Sequence, residues 1–588
     1  MTVPPLRDNI RASPDQGDTY NAQTTRWTDV NRDLSRLSSE TFDVVIVGGG
    51  IHGACAAWDA TLRGLSVALV EKGDFCAATS ANSLKTIHGG LRYLQQADFR
   101  RMRQSIRERS LLMHLAPHLV EPMRVLVPIY GGLKHGRTAF RVALALTDLI
   151  GFDRNRIAGC EGLIPAGSVV TREECLRLFA GFDPEGLRGG ALWYDGQARN
   201  SERLVFEFLA SAAGKGAALA NYTEAVSPIF ERGRLSGVRV RDEIGGDTFD
   251  LKARVVLSAA GPWTDGLLGT LVDAAAPPAA RGLALAINLV THRRLADVAV
   301  GFRSKRDAAS DPVGGGKRYL FLTPWRESTI VGTYYCVADD GPDGTPVSED
   351  LLQDFVAECN EACPSLRLSL DEVTFYHWGL LPRRGPSQTG SDLELAGTSR
   401  IVDHAEQAGI PNLISVVGVK YTTARRVAQT AIDRVFSSLG HKPPPCRTDR
   451  TPLVGTRRSR AVPSTEGTRR LAANYGGSWE NIANAGDGDP QWTRPVSSHT
   501  PVLRCEVLWG VREEMALKLV DVMLRRTEMG TERCPDRSTL ETVASMMGRE
   551  LGWTDGRRQA EVDETLRAYA PLRMPPRRPK ETSRHAQR

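Results

Sequence analysis

Two apolar runs with a small-residue segment between them stand near the start of the chain. Residues 43–47 (DVVIV) and 66–70 (SVALV) are short, continuous and rich in β-branched side chains. Runs of this kind are typical of strands buried on both faces of a parallel sheet. Four alanines between residues 54 and 60 predict a helix packed closely on that sheet, and Gly64 is a suitable left-handed cap for it. The pattern predicts a β–α–β unit.

The middle and the end of the chain have different patterns. Apolar or alternating runs at residues 283–290, 317–323, 329–335 and 373–378 predict a largely antiparallel sheet. Beyond a triple-proline linker at residues 443–445, apolar residues recur at helical spacing across 506–526, and two more helices are predicted at 538–551 and 559–569.

Together these elements predict an α/β fold, α+β overall: a Rossmann-type nucleotide-binding domain, an antiparallel-sheet substrate domain and a C-terminal helical domain. The 588 residues exceed what one hydrophobic core usually fills. The predicted boundaries are a disordered N-terminal extension (1–40), a discontinuous nucleotide-binding domain (41–265 and 395–440, with a helical excursion at 116–184), a substrate-binding or cap domain (266–394), a helical domain (446–570) and a basic disordered tail (571–588).

The turn after the first strand has the glycine pattern G-x-G-x-x-G, formed by Gly48, Gly50 and Gly53. The first glycine allows a tight turn, the second lets the backbone approach a pyrophosphate, and the third lets helix and strand pack closely. The following helix N-terminus offers free N–H groups and a positive dipole to phosphates. Glu71 ends the second strand and is placed to accept hydrogen bonds from ribose hydroxyls. His52, inside the turn, is assigned no chemistry.

After Glu71 the chain becomes polar and glycine-containing, as expected of a segment lying along an extended cofactor. Residues 79–94 include Thr-Ser, Ser-Leu-Lys and then His-Gly-Gly-Leu-Arg-Tyr-Leu. This run resembles the FAD-dependent glycerol-3-phosphate dehydrogenase family, within the D-amino-acid-oxidase-like superfamily. Blocks at 195–203, 255–265, 413–425 and 506–527 are similar to that family in the same order, so the resemblance covers roughly residues 42–569.

The resemblance implies FAD as the cofactor. Its implied contacts, together with the fingerprint, are Gly48, Gly50, Gly53, Glu71, Lys72, Thr79, Ser80, Lys85, His88, Gly89, Gly90, Val226, Ala260, Gly261, Gly418, Lys420, Thr422 and Thr423. The later blocks can also be interpreted from their residues alone, without the family resemblance. Residues 255–257 are a buried strand that breaks into a glycine turn, and Thr422 or Thr423 is a natural N-cap for the helix that follows. For Thr422, capping alone is the alternative. No metal site is predicted.

For the substrate, the resemblance implies that Arg92 and Lys420 bind an anionic group, which suits their chemistry. A structural ion pair is the alternative for Arg92, and contact with the flavin is the alternative for Lys420. Their role implies a small-molecule, anionic substrate.

Three positions depart from the family pattern. Tyr334 and Tyr335 stand where the family has Thr-Asp, Leu381 stands where it has an arginine, and Asn288 aligns with a family histidine. Either Arg383 or Arg384, just past Pro382, restores the missing clamp, or the site is retuned for a bulkier, less anionic substrate with Tyr335 and His377 as new polar groups. His377 is predicted as an imidazole on the substrate side of the flavin; a packed strand histidine is the alternative.

The net charge of +6 is not spread evenly. Residues 571–588 alone have a net charge of +5 and residues 41–570 only +2, so the sequence argues against a nucleic-acid partner. A solvated tail without a partner and a tail that binds a surface both fit this distribution. The ten cysteines are scattered without a C-x-x-C pair, as expected of reduced thiols in a cytoplasmic chain. No apolar run is long enough to span a bilayer.

The resemblance therefore implies an FAD-dependent oxidoreductase, similar to glycerol-3-phosphate dehydrogenase, that oxidises the CH–OH group of sn-glycerol 3-phosphate to dihydroxyacetone phosphate by hydride transfer to flavin. A quinone, oxygen or another compound is the expected electron acceptor. A same-fold enzyme acting on a different hydroxyl or amine substrate is one alternative, and a flavin-containing binding protein recruited by its basic tail is another. The expected location is cytoplasmic, with peripheral contact at the inner face of the membrane and a homodimer as further expectations.

Overall fold

The computed structural model describes residues 30–131, 136–158, 164–272, 282–306, 318–338, 341–344, 347–383, 394–456, 459, 461–486 and 488–569. Within these residues two sheets stand against each other, and a helical C-terminal region packs on the first. Elements are numbered in chain order.

The first sheet is the nucleotide-binding one. Its strands are β1 (Thr41–Val47), β2 (Val67–Val70), β7 (Ala218–Ala220), β8 (Thr223–Glu231), β9 (Arg234–Asp242), β10 (Thr248–Ser258), β16 (Arg400–Asp403) and β17 (Leu413–Val417). Strands β17, β10, β1, β2 and β7 run parallel in that order, and β16 and β9 pair antiparallel with β17 and β10. The predicted β–α–β unit is confirmed, with the helix between β1 and β2 at Ile51–Leu62.

The second sheet is largely antiparallel, as predicted. Its strands are β3 (Thr86–Ile87), β4 (Val120–Ile129), β5 (Ser168–Val170), β6 (Gly189–Ala198), β11 (Leu283–Thr291), β12 (Ala299–Arg303), β13 (Tyr319–Trp325), β14 (Ser328–Ala338) and β15 (Val373–Pro382). The order is β15-β11-β14-β13-β12-β4-β6-β3, with β5 beside β6. Within the described strands of this second sheet, only β12 and β4 pair parallel.

The helices surround the sheets and build the C-terminal region. They are α1 (Leu34–Ser39), α2 (Ile51–Leu62), α3 (Phe99–Leu115), α4 (Arg137–Ile150), α5 (Arg154–Ala158), α6 (Arg172–Leu178), α7 (Ser201–Ala213), α8 (Thr264–Val272), α9 (Glu349–Ala362), α10 (His404–Ala408), α11 (Ala424–Ser438), α12 (Glu466–Tyr475), α13 (Trp479–Ala483), α14 (Arg504–Glu513), α15 (Leu519–Asp521), α16 (Arg537–Leu551) and α17 (Asp555–Ala568). None of the helices in the described residues is long and apolar enough to cross a bilayer.

Two predicted boundaries are wrong. The expected helical excursion at 116–184 contains β4 and β5, and β4 pairs with β6 along its whole length, so this part of the chain belongs to the second sheet. The pattern was hidden because Glu121, Pro122, Arg124 and Pro128 interrupt the apolar residues of β4. Their side chains are exposed or half-buried.

The end of the expected disordered extension is ordered. Leu37 of α1 is fully buried, and Arg32 donates to the Asn221 carbonyl at 2.9 Å. Arg32 also pairs with Asp242. Residues 1–29 and the tail 571–588 lie outside the described residues, so the predictions of disorder there stay predictions.

The predicted helical stretch at 506–526 is divided. Helix α14 ends at Glu513, Met515 has a φ of +51°, and the chain resumes with α15 and a π-helical turn over Val522–Arg526. The two further predicted helices are confirmed as α16 and α17.

Candidate active site

The glycine turn between β1 and α2 is packed so tightly that side chains are excluded. Gly48 has a φ of +114°, and a Cβ there would lie 2.5 Å from the Ala259 carbonyl oxygen at the end of β10. A Cβ on Gly53 would lie 1.9 Å from the Gly48 carbonyl oxygen. Gly50 caps α2 with extended backbone and without a side chain. The turn thus has the close approach that a pyrophosphate requires.

Glu71 is held by the same turn. Its carboxylate accepts hydrogen bonds from the Gly49 N–H at 2.7 Å and the Gly73 N–H at 3.0 Å. Burial raises the pKa of this carboxyl, and the two N–H groups oppose that rise. The acid is therefore fixed beside the glycines, and its contact with a ribose stays a prediction. The ammonium of the next residue, Lys72, lies 4.3 Å from the ring centroid of Trp263, in the turn after β10, and 3.5 Å from Asp343.

Three side chains predicted to contact the cofactor make hydrogen bonds within the protein, and their contact with the cofactor stays a prediction. The Ser80 hydroxyl accepts from the Ile51 N–H at the start of α2, at 3.0 Å. The Thr79 hydroxyl bonds both the N–H and the carbonyl of Leu380, at 3.2 Å each. Lys85 is buried and donates to Glu202 at 2.6 Å and to the Ser201 hydroxyl at 2.8 Å. These hydrogen bonds fix the conformation of the polar segment 79–94, and Thr79 connects it to β15.

A second glycine turn faces the first. Gly418 follows β17, and a Cβ there would lie 2.3 Å from the ring of His52. The Nε2 atom of His52 is buried and has no hydrogen-bond partner among the described residues. Burial lowers the pKa of this imidazole to about 4, so the ring is neutral. An unpaired buried nitrogen between two glycine turns fits a site that binds an extended dinucleotide.

The remaining predicted cofactor residues lie around these turns. Ala260 and Gly261 begin the turn after β10, with Gly261 at a φ of +57°. Thr423 is the N-cap residue of α11 but makes no side-chain capping bond, and Thr422 is buried. Val226 lies in β8 at a bulge against β9. Thus α2 and α11 both begin next to these glycine turns, and the predicted contacts of their N-termini with the cofactor stay predictions.

Cationic and aromatic side chains lie close together at the end of the polar segment 79–94. The Lys420 ammonium lies 4.4 Å from the ring centroid of Tyr93, and the Arg101 guanidinium lies 5.3 Å from the same ring. Burial and the neighbouring charge of Arg92 lower the pKa of Lys420 to about 8. Burial and the charge of Lys420 lower the pKa of His88 to about 4. A neutral imidazole beside two cations favours an anionic ligand.

The His88–Gly89–Gly90 turn is supported by residues that the sequence analysis did not single out as site residues. Asp195 accepts from the Gly89 N–H at 2.5 Å, and Arg109 lies 3.3 Å from the same carboxylate. Gly90 has a φ of +79°, and the Tyr93 ring occupies the space of its Cβ. Asp195 lies in the block 195–203 that is similar to the family, so the sequence contained an indication of its role. Arg109 on α3 lies in no such block.

The second sheet turns one face toward this segment. Asn288 is directly opposite His377 on β15 and Gly332 on β14, and Tyr335 is directly opposite Ala286. Directly opposite residues of antiparallel strands share a face. Asn288 accepts from the Thr333 hydroxyl at 2.7 Å. The departing positions Asn288 and Tyr335 therefore lie on one face of this sheet, beside Gly379, which contacts Thr79.

His377 is packed rather than open to a ligand. It is 2% exposed, its Nδ1 lies 3.2 Å from the Ser83 carbonyl oxygen, and its ring stands edge-on to Trp325 and Phe375. Burial and the charge of Lys85 lower its pKa to about 3. This environment corresponds to the alternative of a packed strand histidine.

Arg383 follows β15 and its N–H donates to the Gly282 carbonyl at 3.0 Å. Its Nε is buried without a partner in the described part of the chain. Arg384, the other candidate for the missing clamp, lies outside the described residues. The structure thus places Arg383 at the end of β15 and leaves its substrate role a prediction.

A parallel nucleotide-binding sheet, two facing glycine turns and a cationic pocket define a dinucleotide-dependent redox enzyme. A family model described as FAD dependent oxidoreductase matches residues 43–434, and one described as the C-terminal domain of alpha-glycerophosphate oxidase matches residues 446–558. The chain belongs to the FAD-dependent oxidoreductase family. It is an enzyme with FAD as its cofactor, and the fold and site described above fit that cofactor.

Relatives narrow the class further. The chain is 30% identical over 572 residues to a glycerol-3-phosphate dehydrogenase of Synechocystis sp., covering 92% of this chain and 97% of that protein. It is 30% identical to glycerol-3-phosphate dehydrogenase 2 of Mycobacterium bovis, covering 91% and 88%. The X-ray structure of the glycerol-3-phosphate dehydrogenase of Bacillus halodurans complexed with FAD shares the fold, with a TM-score of 0.70 at 24% identity over 93% of this chain and 98% of that one.

Proposed function

We propose that this enzyme oxidises the CH–OH group of sn-glycerol 3-phosphate to the ketone of dihydroxyacetone phosphate. The observation that carries the proposal is the cation pair of Arg92 and Lys420 beside Tyr93 and His88, next to the FAD cradle. The names of the relatives agree with it. The glycine turns at Gly48–Gly53 and Gly418 would hold FAD, which would supply the acceptor for the hydride of the alcohol carbon, and the hydroxyl proton would leave to solvent or a protein group.

The cations have a clear part in this reaction. Arg92 is suited to bind a phosphate through two N–H donors, and Lys420 adds a point charge. Because Lys420 is half-buried beside Arg92, its pKa is lowered, and the negative charge of a bound phosphate would raise that pKa again. His88 is neutral at pH 7 and is suited to hold the substrate hydroxyl by a hydrogen bond without adding a third charge.

The departures support a second candidate, a same-fold enzyme for another hydroxyl or amine substrate. Asn288 and Thr333 present a neutral amide and hydroxyl on the sheet face, where a family enzyme has a histidine. Leu381 on β15 supplies no charge. This neutral face suits a less anionic substrate, whereas the cation pair suits an anionic one.

One experiment separates the two candidates. The purified holoenzyme is mixed without oxygen with glycerol 3-phosphate, glycerol, L-lactate or glycine, and bleaching of the flavin absorbance band is followed. Rapid bleaching by glycerol 3-phosphate alone supports the first candidate. Bleaching by glycerol, L-lactate or glycine and not by glycerol 3-phosphate supports the second and contradicts the first.

The anion role of Lys420 has a matched control. Lys420→Met is expected to raise KM for glycerol 3-phosphate by about 10- to 100-fold, the usual cost of one charge-assisted hydrogen bond. Lys442→Met removes an exposed lysine beyond α11 and is expected to leave KM unchanged. Equal KM values in the two variants would remove Lys420 from the substrate site.

We also propose that the enzyme docks on an anionic membrane surface through α4 and the turn after it. Val142, Leu146, Leu149 and Phe152 form a stripe at helical spacing, and Leu149 and Phe152 are 69% and 75% exposed. The opposite side of α4 is anchored by the buried Leu144. An exposed apolar stripe on a helix favours an interfacial position in a bilayer.

Charge around this stripe supports a lipid partner. Asp148 pairs with Arg154 at 3.1 Å, and Asp153 pairs with Arg103, so both nearby acids are neutralised. Arg141 within α4 and Arg156 just after it are exposed, and so is Arg100, one turn before Arg103 on α3. Basic groups near an apolar stripe attract anionic lipid by about 1 kcal/mol each. A lipid-dissolved quinone is the electron acceptor that this position favours.

Vesicle binding tests the surface. The enzyme is expected to sediment with vesicles of one-third phosphatidylglycerol, and Leu149→Glu with Phe152→Glu is expected to abolish this while flavin reduction continues. Val462→Glu, at a residue 84% exposed and far from α4 in sequence, is the matched control. If sedimentation is unchanged and the double variant instead converts a dimer to a monomer on a sizing column, the stripe is a contact between two copies.

A further inference from the structure

The loop after Glu71 is gripped by the C-terminal region. Asp74 is 2% exposed, and its two carboxylate oxygens each accept a hydrogen bond of 2.8 Å from the Arg526 guanidinium. Arg525 donates to the same carboxylate. These arginines stand 451 and 452 residues further along the chain. The contact is therefore a long-range one between the nucleotide-binding domain and the last part of the structure.

Both guanidinium groups are fixed from behind. Arg525 also donates to Asp521 at 2.7 Å, and Arg526 donates to the Glu514 carbonyl at 2.8 Å. The Glu514 carboxylate binds Arg203 of α7 through two hydrogen bonds. The three arginines Arg203, Arg525 and Arg526 are matched by the three acids Asp74, Glu514 and Asp521. Such buried groups hold a geometry, and removing one leaves its partner unpaired.

The hydrogen bonds of this network extend to Glu71, at the start of the same loop. Gly73, next to Asp74, donates to the Glu71 carboxylate, whose other oxygen accepts from Gly49 in the glycine turn. On the far side the Gly73 carbonyl accepts from the Tyr222 N–H at 2.8 Å, and the Tyr222 hydroxyl donates to Asp521 at 2.6 Å. A continuous set of hydrogen bonds thus joins the C-terminal arginines to Glu71.

We propose that Arg525 and Arg526 are positioning residues for FAD: the C-terminal region holds Asp74, and through it the Glu71 carboxylate, in the place that binds the adenosine ribose. This inference rests on FAD as the cofactor and is independent of the substrate. It gives the C-terminal region a task that neither the glycine fingerprint nor the cation pair supplies, namely retention of the bound dinucleotide.

The test measures FAD release in full-length protein. Holoenzyme is diluted into excess apo-D-amino-acid oxidase, which binds free FAD, and the dissociation rate of FAD is followed by the D-amino-acid oxidase activity that appears. Arg526→Met keeps the side-chain length but removes the fork, and it is expected to speed FAD release by about 10-fold or more. Arg526→Lys keeps the charge without the two-pronged contact and is expected to lie between wild type and Arg526→Met.

The control separates retention from general stability. Arg318 on the second sheet is also buried and pairs with Glu358. Arg318→Met is expected to lower the unfolding temperature as much as Arg526→Met without speeding FAD release. If the two methionine variants release FAD at the same rate, the proposal is overturned. If Arg526→Met fails to fold, Asp74→Asn takes its place, and a wild-type release rate in that variant overturns the proposal equally.

Discussion

At the scale of single residues, the site combines groups whose protonation is set by their surroundings. Lys420 has a pKa of about 8 because it is half-buried beside Arg92, and His88 one of about 4 because it is surrounded by protein and faces Lys420. The sequence identified both residues through their motifs. It gave no indication of the Tyr93 ring against Lys420, because that contact depends on how the turn at Gly90 folds.

Lys420 predicts a pH dependence of catalysis. A lysine whose pKa is lowered to about 8 is cationic below that pH and neutral above it, so binding of an anionic substrate weakens as pH rises. The value of kcat/KM for glycerol 3-phosphate is expected to fall about tenfold per pH unit above pH 8, and Lys420→Arg is expected to move the fall beyond pH 10. Steady-state rates from pH 6 to 10 test this. An unchanged profile in the arginine variant would point to another group.

His377 gives a prediction that separates packing from catalysis. His377→Ala removes a ring packed on Trp325 and Phe375 and leaves the Ser83 carbonyl without that partner. We expect it to lower the free energy of unfolding by about 2–4 kcal/mol while changing the rate of anaerobic flavin reduction less than threefold. Urea unfolding and stopped-flow absorbance measure the two effects. A hundredfold slower reduction would restore the catalytic hypothesis for this residue.

Gly53 tests the turn directly. A Cβ at this position meets the Gly48 carbonyl oxygen at 1.9 Å, so Gly53→Ala must displace the turn. Loss of stable FAD binding is the expected result, seen as protein purified without its yellow colour. Gly266→Ala, where a Cβ meets nothing within 4 Å, is the control and is expected to keep its FAD. A Gly53→Ala protein with full FAD content would show that the turn is not as tight as described.

At the scale of elements, the sequence predicted the helices and strands that have a regular apolar pattern or a recognisable motif. The β1–α2–β2 unit, the strands β11, β13, β14 and β15, and the helices α16 and α17 all appear where apolar patterns placed them. Strand β4 was missed because its polar residues and two prolines break the alternation, and its pairing with β6 supplies the order that the pattern lacks. The break at Met515 was missed because apolar spacing alone does not reveal a left-handed residue.

Helix α16 provides a prediction at this scale. Its N-cap, Asp536, accepts hydrogen bonds from the Thr539 N–H and from the Ser538 and Thr539 hydroxyls, which hold the pKa of the carboxyl below its ordinary value. Asp536→Ala is expected to cost about 1 kcal/mol at pH 7. Because the folded pKa is lowered, this contribution is present above pH 4 and is lost as pH falls below it. Denaturant unfolding at pH 7 and pH 3 tests both statements; an equal cost at the two pH values would contradict them.

At the scale of the whole molecule, the candidate site lies between two sheets and is completed by segments from both. Thr79 joins the nucleotide-binding domain to β15, and the arginine–acid network joins that domain to the C-terminal region. The sequence predicted the order of these domains along the chain. It did not predict that β4 and β6 belong to the second sheet, because such pairing is long-range.

The tail yields a prediction at the same scale. Residues 571–588 have a net charge of +5 and lie outside the family matches, so their deletion is expected to leave flavin reduction by substrate unchanged. The effect of the deletion on vesicle binding shows whether the tail or α4 binds the lipid surface. Binding that survives the deletion at 0.3 M salt depends on the apolar stripe, whereas binding lost with the tail does not need it. Co-sedimentation across a salt series measures this.

The long separation between Asp74 and its arginine partners also sets an order of events during synthesis. The ribosome completes β1, α2 and β2 hundreds of residues before it reaches Arg525 and Arg526, so a nascent chain has its glycine turn long before the grip on Asp74 can form. Under the proposed role of these arginines, firm retention of FAD waits for the end of translation, and a chain that stops before Arg525 lacks both positioning residues.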